Sequence, residues 1–290
     1  MTSPRPWQCV LIAWGDRYPV AEINLLADSI RRQSASLARM VLITDRDRPG
    51  IYPGILAVSF PPFFLDPRFL TGGCQAKLAM FAQDVVPGDL PAVYVDLDTV
   101  VLGDLARLLP LTGPDHHRIA MLQSAVLPFG ALGRLAHRLT SGRRYARGNS
   151  SVVVWHPRHG TAIAARFQDM ARRHPDLAPR PMAADERFIS WAAQDRMRAI
   201  PRSLAVKFPT EFMYPRLWIG RLLAALPWVR ARRAGLVAVT LPGEAVKGET
   251  LLALPEGALI TDRKGRRVEW SPRTLGPLKD RLLAHYRRLT

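Results

Sequence analysis

An apolar run that contains two aspartates sets the strongest constraint on what this chain can fold into. Residues 92–102 are apolar except around Asp96 and Asp98, and no basic residue lies among them. If residues 92–97 form a buried strand, both carboxylates lie on one side at its C-terminal end, where open α/β sheets build ligand sites. A divalent cation that carries a phosphate would balance their charge. An Asx-turn that closes a strand explains the bare Asp-x-Asp pattern equally well.

Length and composition indicate a globular protein with one large α/β domain and a C-terminal extension. The chain has 290 residues, of which 48% are hydrophobic and 22% charged. No apolar run approaches the roughly 20 residues that span a bilayer, and residues 1–6 lack the pattern of a signal peptide. Cys9 and Cys74 lack metal-type spacing, so we expect reduced thiols and a cytoplasmic location.

The formal charge of +17 is carried almost entirely by arginine. Such a charge favours anionic partners, such as a nucleoside diphosphate or an anionic lipid surface. Nucleic acid is not expected, because no recognisable binding module accompanies the charge. A solvated surface rich in arginine is the alternative interpretation.

The order of elements predicts a nucleotide-binding α/β fold. Strands at 8–14, 40–44 and 55–60 surround a helix at 20–33, and turn residues follow each strand. Further predicted elements are a helix at 75–84, strands at 92–97, 118–123 and 151–155, a basic loop at 141–148, and helices at 160–173 and 183–194. After residue 200 the pattern changes: residues 216–233 are rich in Trp and Arg and begin with a broad helical stripe that ends at Pro227. A basic amphipathic helix covers 278–289.

Four ordered stretches within residues 8–190 resemble the GT-A type of nucleotide-sugar glycosyltransferase. They are most similar to the group of glycogenin and the bacterial lipopolysaccharide sugar transferases. The stretches are Ala13-Trp14-Gly15-Asp16-Arg17-Tyr18, Gln75-Ala76-Lys77-Leu78, the Asp96/Asp98 pair and Gly148-Asn149-Ser150-Ser151 with the strand that follows.

The resemblance implies a role for each stretch in binding the donor. The turn with Trp14, Asp16 and Tyr18 would hold the nucleotide base and ribose, with the Tyr18 ring stacked on a pyrimidine. Lys77 would lie near the phosphates of the donor. Asp96 would contact the ribose and a metal ion, and Asp98 would bind that ion directly.

The implied metal is Mn²⁺ or Mg²⁺, and the implied donor is a uridine diphosphate sugar. Without a metal, two carboxylates this close would be expected to hold one proton at a raised pKa. Asn149 would reach the donor sugar with its amide, and Asp185 would bind sugar hydroxyls near the anomeric carbon. Glu186 departs from the glutamine that is usual in the family.

The clearest departure lies near the C-terminus. The family usually has a His-Gly-x-x-Lys segment, whose histidine is a third metal ligand and whose lysine grips the diphosphate. The nearest stretch here is Val239–Gly248, where Pro242 stands in place of the histidine and Lys247 falls one residue late. Proline cannot ligate a metal, so the third ligand is not visible in the sequence.

The expected protein therefore has a GT-A-like, Rossmann-type mixed sheet flanked by helices. Residues 1–200 would form the catalytic domain, and 201–290 a basic helical extension packed on it. It would move a hexose, with retention, to a glycan or lipid-linked acceptor of the cell envelope, at the inner face of the membrane. Trp218, Trp228 and nearby arginines would contact anionic lipid, although packing on the protein's own core explains the stripe too.

Two alternatives remain open. Asp96-Leu97-Asp98-Thr99-Val100 also fits the signature of haloacid-dehalogenase-type phosphatases, in which Asp96 would be phosphorylated and Asp98 would act as acid/base. That signature normally follows the first strand, whereas about 90 residues precede it here. The second alternative is a catalytically degenerate transferase-like protein that binds at the membrane, which the substitution at Pro242 motivates.

Overall fold

The computed structural model describes residues 5–123, 127–243 and 246–289, which divide into two units. Unit 1 takes in the chain up to Val20, Ser36–Leu97 and Ala106–Ile200. Unit 2 takes in Ala21–Ala35, Asp98–Leu105 and the chain from Pro201 onwards. The chain therefore passes between the units several times, and two internal segments join the C-terminal third in unit 2.

Strands and helices alternate along most of the chain. The strands are β1 (Trp7–Ala13), β2 (Leu37–Thr44), β3 (Ile55–Ser59), β4 (Ala92–Val95), β5 (Thr99–Val101), β6 (Ile119–Gln123), β7 (Gly148–Trp155), β8 (Met197–Ile200), β9 (Ala205–Lys207), β10 (Ala238–Thr240), β11 (Leu259–Thr261) and β12 (Arg267–Glu269). The α-helices are α1 (Val20–Gln33), α2 (Pro67–Leu70), α3 (Ala131–Leu139), α4 (Thr161–Arg173), α5 (Asp185–Ala192), α6 (Phe208–Glu211), α7 (Leu217–Ala225), α8 (Pro227–Ala234), α9 (Gly248–Ala253), α10 (Pro272–Leu275) and α11 (Leu278–Tyr286). Short 3₁₀ helices include Gln75–Phe81 and Leu105–Thr112.

Unit 1 is built on a seven-stranded mixed sheet in the order β3-β2-β1-β4-β7-β6-β8. The pairs β3/β2, β2/β1 and β1/β4 are parallel, whereas β7 runs antiparallel to both β4 and β6. Val95 at the end of β4 is the register partner of Val152 near the start of β7. The antiparallel step therefore brings the first residues of β7 to the sheet edge where β4 ends.

An aromatic core holds the helices of unit 1 against this sheet. Residues of α4, α5 and the 3₁₀ helix Gln75–Phe81 pack on β1, β4 and β7, and a cluster of phenylalanines joins them. Phe167 lies at the centre of this cluster, with ring centroids 5.2 Å from Phe69 and 5.0 Å from Phe188. These contacts fix the segments on which Lys77 and Asp185 stand.

Unit 2 contains a three-stranded sheet in the order β5-β10-β9 and the β11/β12 hairpin. The carboxylate of Glu211, only 1% exposed, bonds three arginines: Arg202 at 2.7 Å, Arg232 at 2.5 Å and Arg233 at 2.8 Å. Burial alone would raise the pKa of Glu211, but these hydrogen bonds outweigh it and hold the pKa below its usual value.

Three predicted elements differ from the structure. The strand expected at 92–97 ends at Val95, because residues 97–98 form a turn that leads directly into β5. The stretch at 216–233 differs only in having a second helix: the stripe expected to end at Pro227 is α7, and Pro227 starts α8 because it lacks the N–H that would continue α7. The helix expected at 75–84 is a 3₁₀ helix that ends at Phe81. Among the described residues, none of the helices has the length and hydropathy to cross a bilayer.

Candidate functional site

A buried ion pair lies at the C-terminal end of β4. Lys77 Nζ is 2.5 Å from Asp96 Oδ1, and the two side chains are only 13% and 17% exposed. The Tyr94 hydroxyl donates a hydrogen bond to the same Asp96 oxygen. Tyr94 and Asp96 are two residues apart on an extended segment and so share one side of it. The Asp96 backbone N–H continues the pairing with β7 by donating to the Ser151 carbonyl at 2.9 Å.

This environment keeps Asp96 ionised. Burial would raise its pKa, but the charge of Lys77 and hydrogen bonds from Lys77, Tyr94 and Ser151 lower it below the usual value. Burial alone would lower the pKa of Lys77, but the charge of Asp96, with smaller contributions from Tyr94 and Asp185, raises it well above its usual value. Of the two carboxylates that were expected to share a proton without a metal, Asp96 is therefore held in the ionised form by Lys77.

The start of β7 and the start of α5 face each other through two short hydrogen bonds. Ser150 Oγ donates to Asp185 Oδ2 at 2.6 Å, and Asn149 Nδ2 donates to Glu186 Oε2 at 2.6 Å. Ser190 links the same elements, because its hydroxyl accepts from the Gly148 N–H at 2.9 Å. Asn149 and Asp185, which the resemblance assigned to the sugar, are therefore held by adjacent residues of one network.

Asp185 has a proton affinity unlike that of an ordinary aspartate. It is 4% exposed, and burial is the main cause that raises its pKa to about 6. The charges of Asp96 and Glu186 raise it further, while Lys77 and the Ser150 hydroxyl oppose the shift. Asp96, Lys77 and Asp185 are thus coupled charges in one buried region, and such shifted groups are typical of functional sites.

A glycine allows the segment with Lys77 to approach the segment with Asp185. The Gly73 carbonyl accepts from the Asp185 N–H at 3.0 Å, and Gln75 Nε2 donates to the Met182 carbonyl at 2.9 Å. A Cβ at Gly73 would lie 2.2 Å from the Ala183 carbonyl oxygen, closer than any real contact. The juxtaposition of the two charged residues therefore depends on the absence of a side chain at residue 73.

We expect Gly73→Ala to destabilise unit 1 by about 2–4 kcal/mol, because a backbone atom that cannot move aside blocks the methyl group. Gly88→Ala is the matched control, since its Cβ would meet only the flexible Arg158 side chain at 3.3 Å. Urea unfolding of the two variants measures the difference. Equal unfolding midpoints would contradict the close approach at residue 73.

The turn after β1 carries the three residues assigned to the nucleotide. Trp14 Nε1 donates to the Leu70 carbonyl at 3.0 Å, which ties this indole to the segment before Lys77. Asp16 is exposed and pairs with Arg46 at 2.9 Å, and Arg17 lies over the Tyr18 ring at 5.5 Å. Burial raises the pKa of Cys74, and the positive charges of Lys77 and Arg17 both oppose this shift. The turn is therefore within electrostatic range of the Lys77 segment.

Two of the predicted residues belong to unit 2. Asp98 is half-buried in the turn before β5, and its carbonyl accepts from the Leu241 N–H at 2.8 Å. Lys247 precedes α9; burial raises the pKa of Glu22, and the charge of Lys247 offsets only part of that shift. Pro242 follows β10, and of the stretch around it residues 244–245 lie outside the described residues. In the described part of the chain, no group of three His, Cys, Asp or Glu side chains could hold a metal ion.

The donor set still fits a hard cation in part. Lys77 and Tyr94 both bond Oδ1 of Asp96, and the carboxylate stays ionised, as a metal ligand must be. Carboxylate oxygens are the ligands that Mg²⁺ and Mn²⁺ prefer, and substrate phosphates commonly complete such shells.

Sequence reasoning missed Tyr94 and Ser150 as parts of the site. Tyr94 could have been found from the alternation of the strand, which puts it on the side of Asp96. Ser150 stands beside Asn149, but nothing in the pattern distinguishes a hydroxyl that caps Asp185 from one that closes a turn. The Lys77–Asp96 pair was also not expected, because Lys77 was assigned to the donor phosphates.

The seven-stranded sheet, with the elements beside the C-terminal end of β4, has the GT-A-like architecture expected from the sequence. Comparison with solved structures confirms the fold. The chain is similar to the galactosyltransferase LgtC in complex with donor and acceptor sugar analogs, with a TM-score of 0.57, 13% identity, and coverage of 98% of this chain and 96% of that one. It is similar to the bifunctional glycosyltransferase WbbM, with a TM-score of 0.58 and 12% identity over 99% of this chain and 50% of that one.

A third similar structure is an active-site mutant of LgtC in which a glutamine is replaced by glutamate. Its TM-score is 0.54 and its identity 14%, over 82% of this chain and 88% of that one. No protein-family model and no curated protein sequence matches the chain.

Proposed function

We propose that this protein is a glycosyltransferase that moves a hexose from a nucleoside diphosphate sugar, with uridine as the nucleoside, to a glycan or lipid-linked acceptor of the cell envelope. The observation that carries the proposal is the Lys77–Asp96 ion pair at the end of β4, together with the hydrogen bonds from Asn149 to Glu186 and from Ser150 to Asp185. It occupies the carboxyl edge of the sheet, in a fold shared with solved glycosyltransferases.

Each residue of the network has a chemical role in this proposal. Lys77 supplies a fixed positive charge for the diphosphate, since a cation already desolvated loses little more when an anion binds. Asn149 and Asp185 bind the hydroxyls of the sugar and orient its anomeric carbon. Trp14, Asp16 and Tyr18 hold the nucleotide, and Lys247 contacts the diphosphate. Retention of configuration at the anomeric carbon is part of the proposal and follows from the family resemblance.

Asp96 and Asp98 are the proposed ligands of a divalent cation, Mn²⁺ or Mg²⁺. When bound, such an ion supplies positive charge that stabilises the departing nucleoside diphosphate. The protein's own contribution is to keep Asp96 ionised through Lys77 and Tyr94. The phosphatase alternative gains no support, because Asp96 follows the fourth strand of the chain and the similar folds are glycosyltransferases.

Titration calorimetry with uridine diphosphate tests the donor assignment. We expect binding that requires Mn²⁺ and weakens by at least about 10-fold in Asp98→Asn, because the change removes an anionic ligand of the cation. Asp115→Asn, which neutralises an aspartate that is 81% exposed, should bind like the parent protein.

Three other outcomes would count against parts of the proposal. Binding that is indifferent to both Mn²⁺ and Asp98→Asn would overturn the metal assignment. Absence of binding to all common nucleoside diphosphates would overturn the donor site. Tight donor binding without transfer or donor hydrolysis would favour the degenerate binding protein, in line with Pro242.

The proposal includes peripheral contact with an anionic membrane through unit 2. Trp218 is 63% exposed and Trp228 is 68% exposed, and all residues of α7 are at least partly accessible. Indole rings of this kind prefer the interface between water and lipid, and the exposed Arg230 of α8 complements anionic headgroups. The alternative interpretation, in which this stretch packs on the protein's own core, does not account for the exposed side chains of Trp218 and Trp228.

A further inference from the structure

Unit 2 contains a cavity that the proposed transfer reaction does not use. Helices α7, α8, α10 and α11, together with Leu102 after β5, enclose about 460 Å³. This volume is within the range of small-molecule binding sites. All the residues that line the cavity belong to unit 2.

The charge of the lining is entirely positive. Five arginines line the cavity and none of the lining residues is acidic: Arg221, Arg230, Arg233, Arg273 and Arg281. Two of them have carboxylate partners outside the lining, Glu269 for Arg221 and Glu211 for Arg233. The other three have no salt bridge to a carboxylate in the part of the chain that the structure describes.

Those three arginines differ in exposure. Arg281 bonds the Leu102 carbonyl, and burial lowers its pKa without a carboxylate to offset the effect. Arg230 and Arg273 are exposed, and neither makes a side-chain hydrogen bond within the described ranges. An anion in the cavity would therefore meet guanidinium groups able to form charge-assisted hydrogen bonds.

The remaining walls are apolar. Leu102, Leu275 and Leu278 line the cavity with alanines and prolines of the surrounding helices. A small inorganic anion keeps a hydration shell that such walls cannot replace. The combination of arginines with apolar walls instead suits an anionic group attached to a hydrocarbon chain.

The outer face of α7 indicates where that hydrocarbon chain comes from. Arg221 and Ala225 line the cavity, and Trp218 and Leu222 are their respective neighbours at a helical spacing of three residues. Trp218 and Leu222 are 63% and 55% exposed. An apolar edge of the kind that inserts into a lipid surface therefore borders the cavity.

We propose that this cavity binds the phosphate-bearing headgroup of a single anionic membrane phospholipid, with Trp218 and Leu222 inserted beside it. This inference rests on the proposed membrane contact and specifies it, since one lipid would be held in a defined site in addition to the general attraction of a basic surface. It does not depend on the donor or on the transfer reaction.

Calorimetry with a short-chain lipid tests the cavity without a bilayer. We expect dihexanoyl phosphatidylglycerol, below its micelle concentration, to bind at least about 10-fold more tightly than inorganic phosphate or dihexanoyl phosphatidylcholine. Ala225→Trp, which fills the cavity without a change in charge, should weaken this binding at least about 10-fold. Arg230→Gln/Arg273→Gln should do the same, whereas Arg143→Gln/Arg172→Gln, with the same change in net charge on exposed arginines of unit 1, should not.

Vesicle sedimentation separates this inference from the membrane contact on which it rests. Vesicles of equal parts phosphatidylcholine and phosphatidylglycerol should bind the parent protein, and vesicles of phosphatidylcholine alone should not. If neither binds, the membrane contact fails. The anionic vesicles and the short-chain lipid could each bind the parent and Ala225→Trp with equal affinity. That result would overturn the cavity assignment and leave the membrane contact in place.

Two further binding measurements, one with inorganic phosphate and one with uridine diphosphate, complete the test. Inorganic phosphate that binds as tightly as the short-chain lipid would identify a site for a free anion and would overturn the phospholipid. Uridine diphosphate binding, measured on every variant, should remain unchanged. A variant that loses both lipid and nucleotide binding would be misfolded, and the second cavity variant then decides the outcome.

Discussion

Lys77→Met is expected to lower the free energy of unfolding by about 3–5 kcal/mol, since it removes one partner of a buried ion pair and leaves the other. Methionine keeps the length and flexibility of the side chain, so the lost charge is the main change. Asp96 would then remain in a site where only hydrogen bonds from Tyr94 and Ser151 oppose the effect of burial on its pKa. Urea unfolding followed by tryptophan fluorescence measures the change.

The double variant Lys77→Met/Asp96→Asn distinguishes a lost charge pair from lost packing. It should regain at least half of the stability, because the buried carboxylate is removed as well and the amide can still accept from Tyr94. Arg39→Met is a control on a more exposed pair, since Asp89 in that pair is 54% exposed. It should cost less than about 1 kcal/mol. A loss that small at Lys77 would contradict the buried pair.

Asp185→Asn is expected to have the opposite effect on stability and a severe effect on transfer. Because burial raises the folded pKa of Asp185 to about 6 from 3.8, the ionised residue costs about 3 kcal/mol of stability above pH 6. The folded state binds this proton more tightly than the unfolded state, so stability falls as the pH rises from about 4 to 6. Asparagine is neutral throughout and can still accept from Ser150.

At pH 8 the free energy of unfolding of the variant should therefore exceed that of the parent by about 1–3 kcal/mol, so the variant should unfold at a higher urea concentration. The difference in free energy should shrink toward pH 4. Turnover of the donor should fall by about 100-fold or more, since the proposed contact to the sugar loses its charge. Glu249→Gln, an exposed acid of α9, is the control and should change neither quantity. Equal destabilisation at both pH values would show that Asp185 is only a structural hydrogen-bond acceptor.

The elements of the fold could be predicted where burial and turn chemistry agree. The apolar run before Asp96 predicts β4, and the periodicity of residues 20–33 predicts α1 with its observed bounds. Periodicity could not distinguish the 3₁₀ helix Gln75–Phe81 from an α-helix, because the apolar residues are too few to separate the two repeats. Helix α3 was not predicted, although its three leucines, Leu132, Leu135 and Leu139, recur at helical spacing; in the structure all three are exposed.

The site could be predicted as a set of residues but not as a set of contacts. Family resemblance selected Lys77, Asp96, Asn149 and Asp185. In unit 1 the structure shows the Lys77–Asp96 pair, hydrogen bonds from Asn149 to Glu186 and from Ser150 to Asp185, and an electrostatic interaction of Asp185 with Lys77 and Asp96. The resemblance could not show that the Lys77 segment lies against the Asp185 segment, because that contact depends on the approach permitted at Gly73. Nor could it show that segments 21–35 and 98–105 belong with the C-terminal third, since such long-range pairing leaves no local signal.

Unit 2 is assembled from segments that lie far apart in the sequence, and this has a consequence for synthesis on the ribosome. β5 pairs with β10, which in turn pairs with β9, so β5 cannot complete its ladder until Ala238–Thr240 have emerged. At ordinary rates of translation this delay is roughly 10–30 s. During that time Val100 and Val101, both buried in the finished protein, remain unpaired on a nascent chain. Emergence of β9 and β10 is therefore the step that completes the sheet of unit 2, and a chain stopped before it would expose a strand edge able to aggregate.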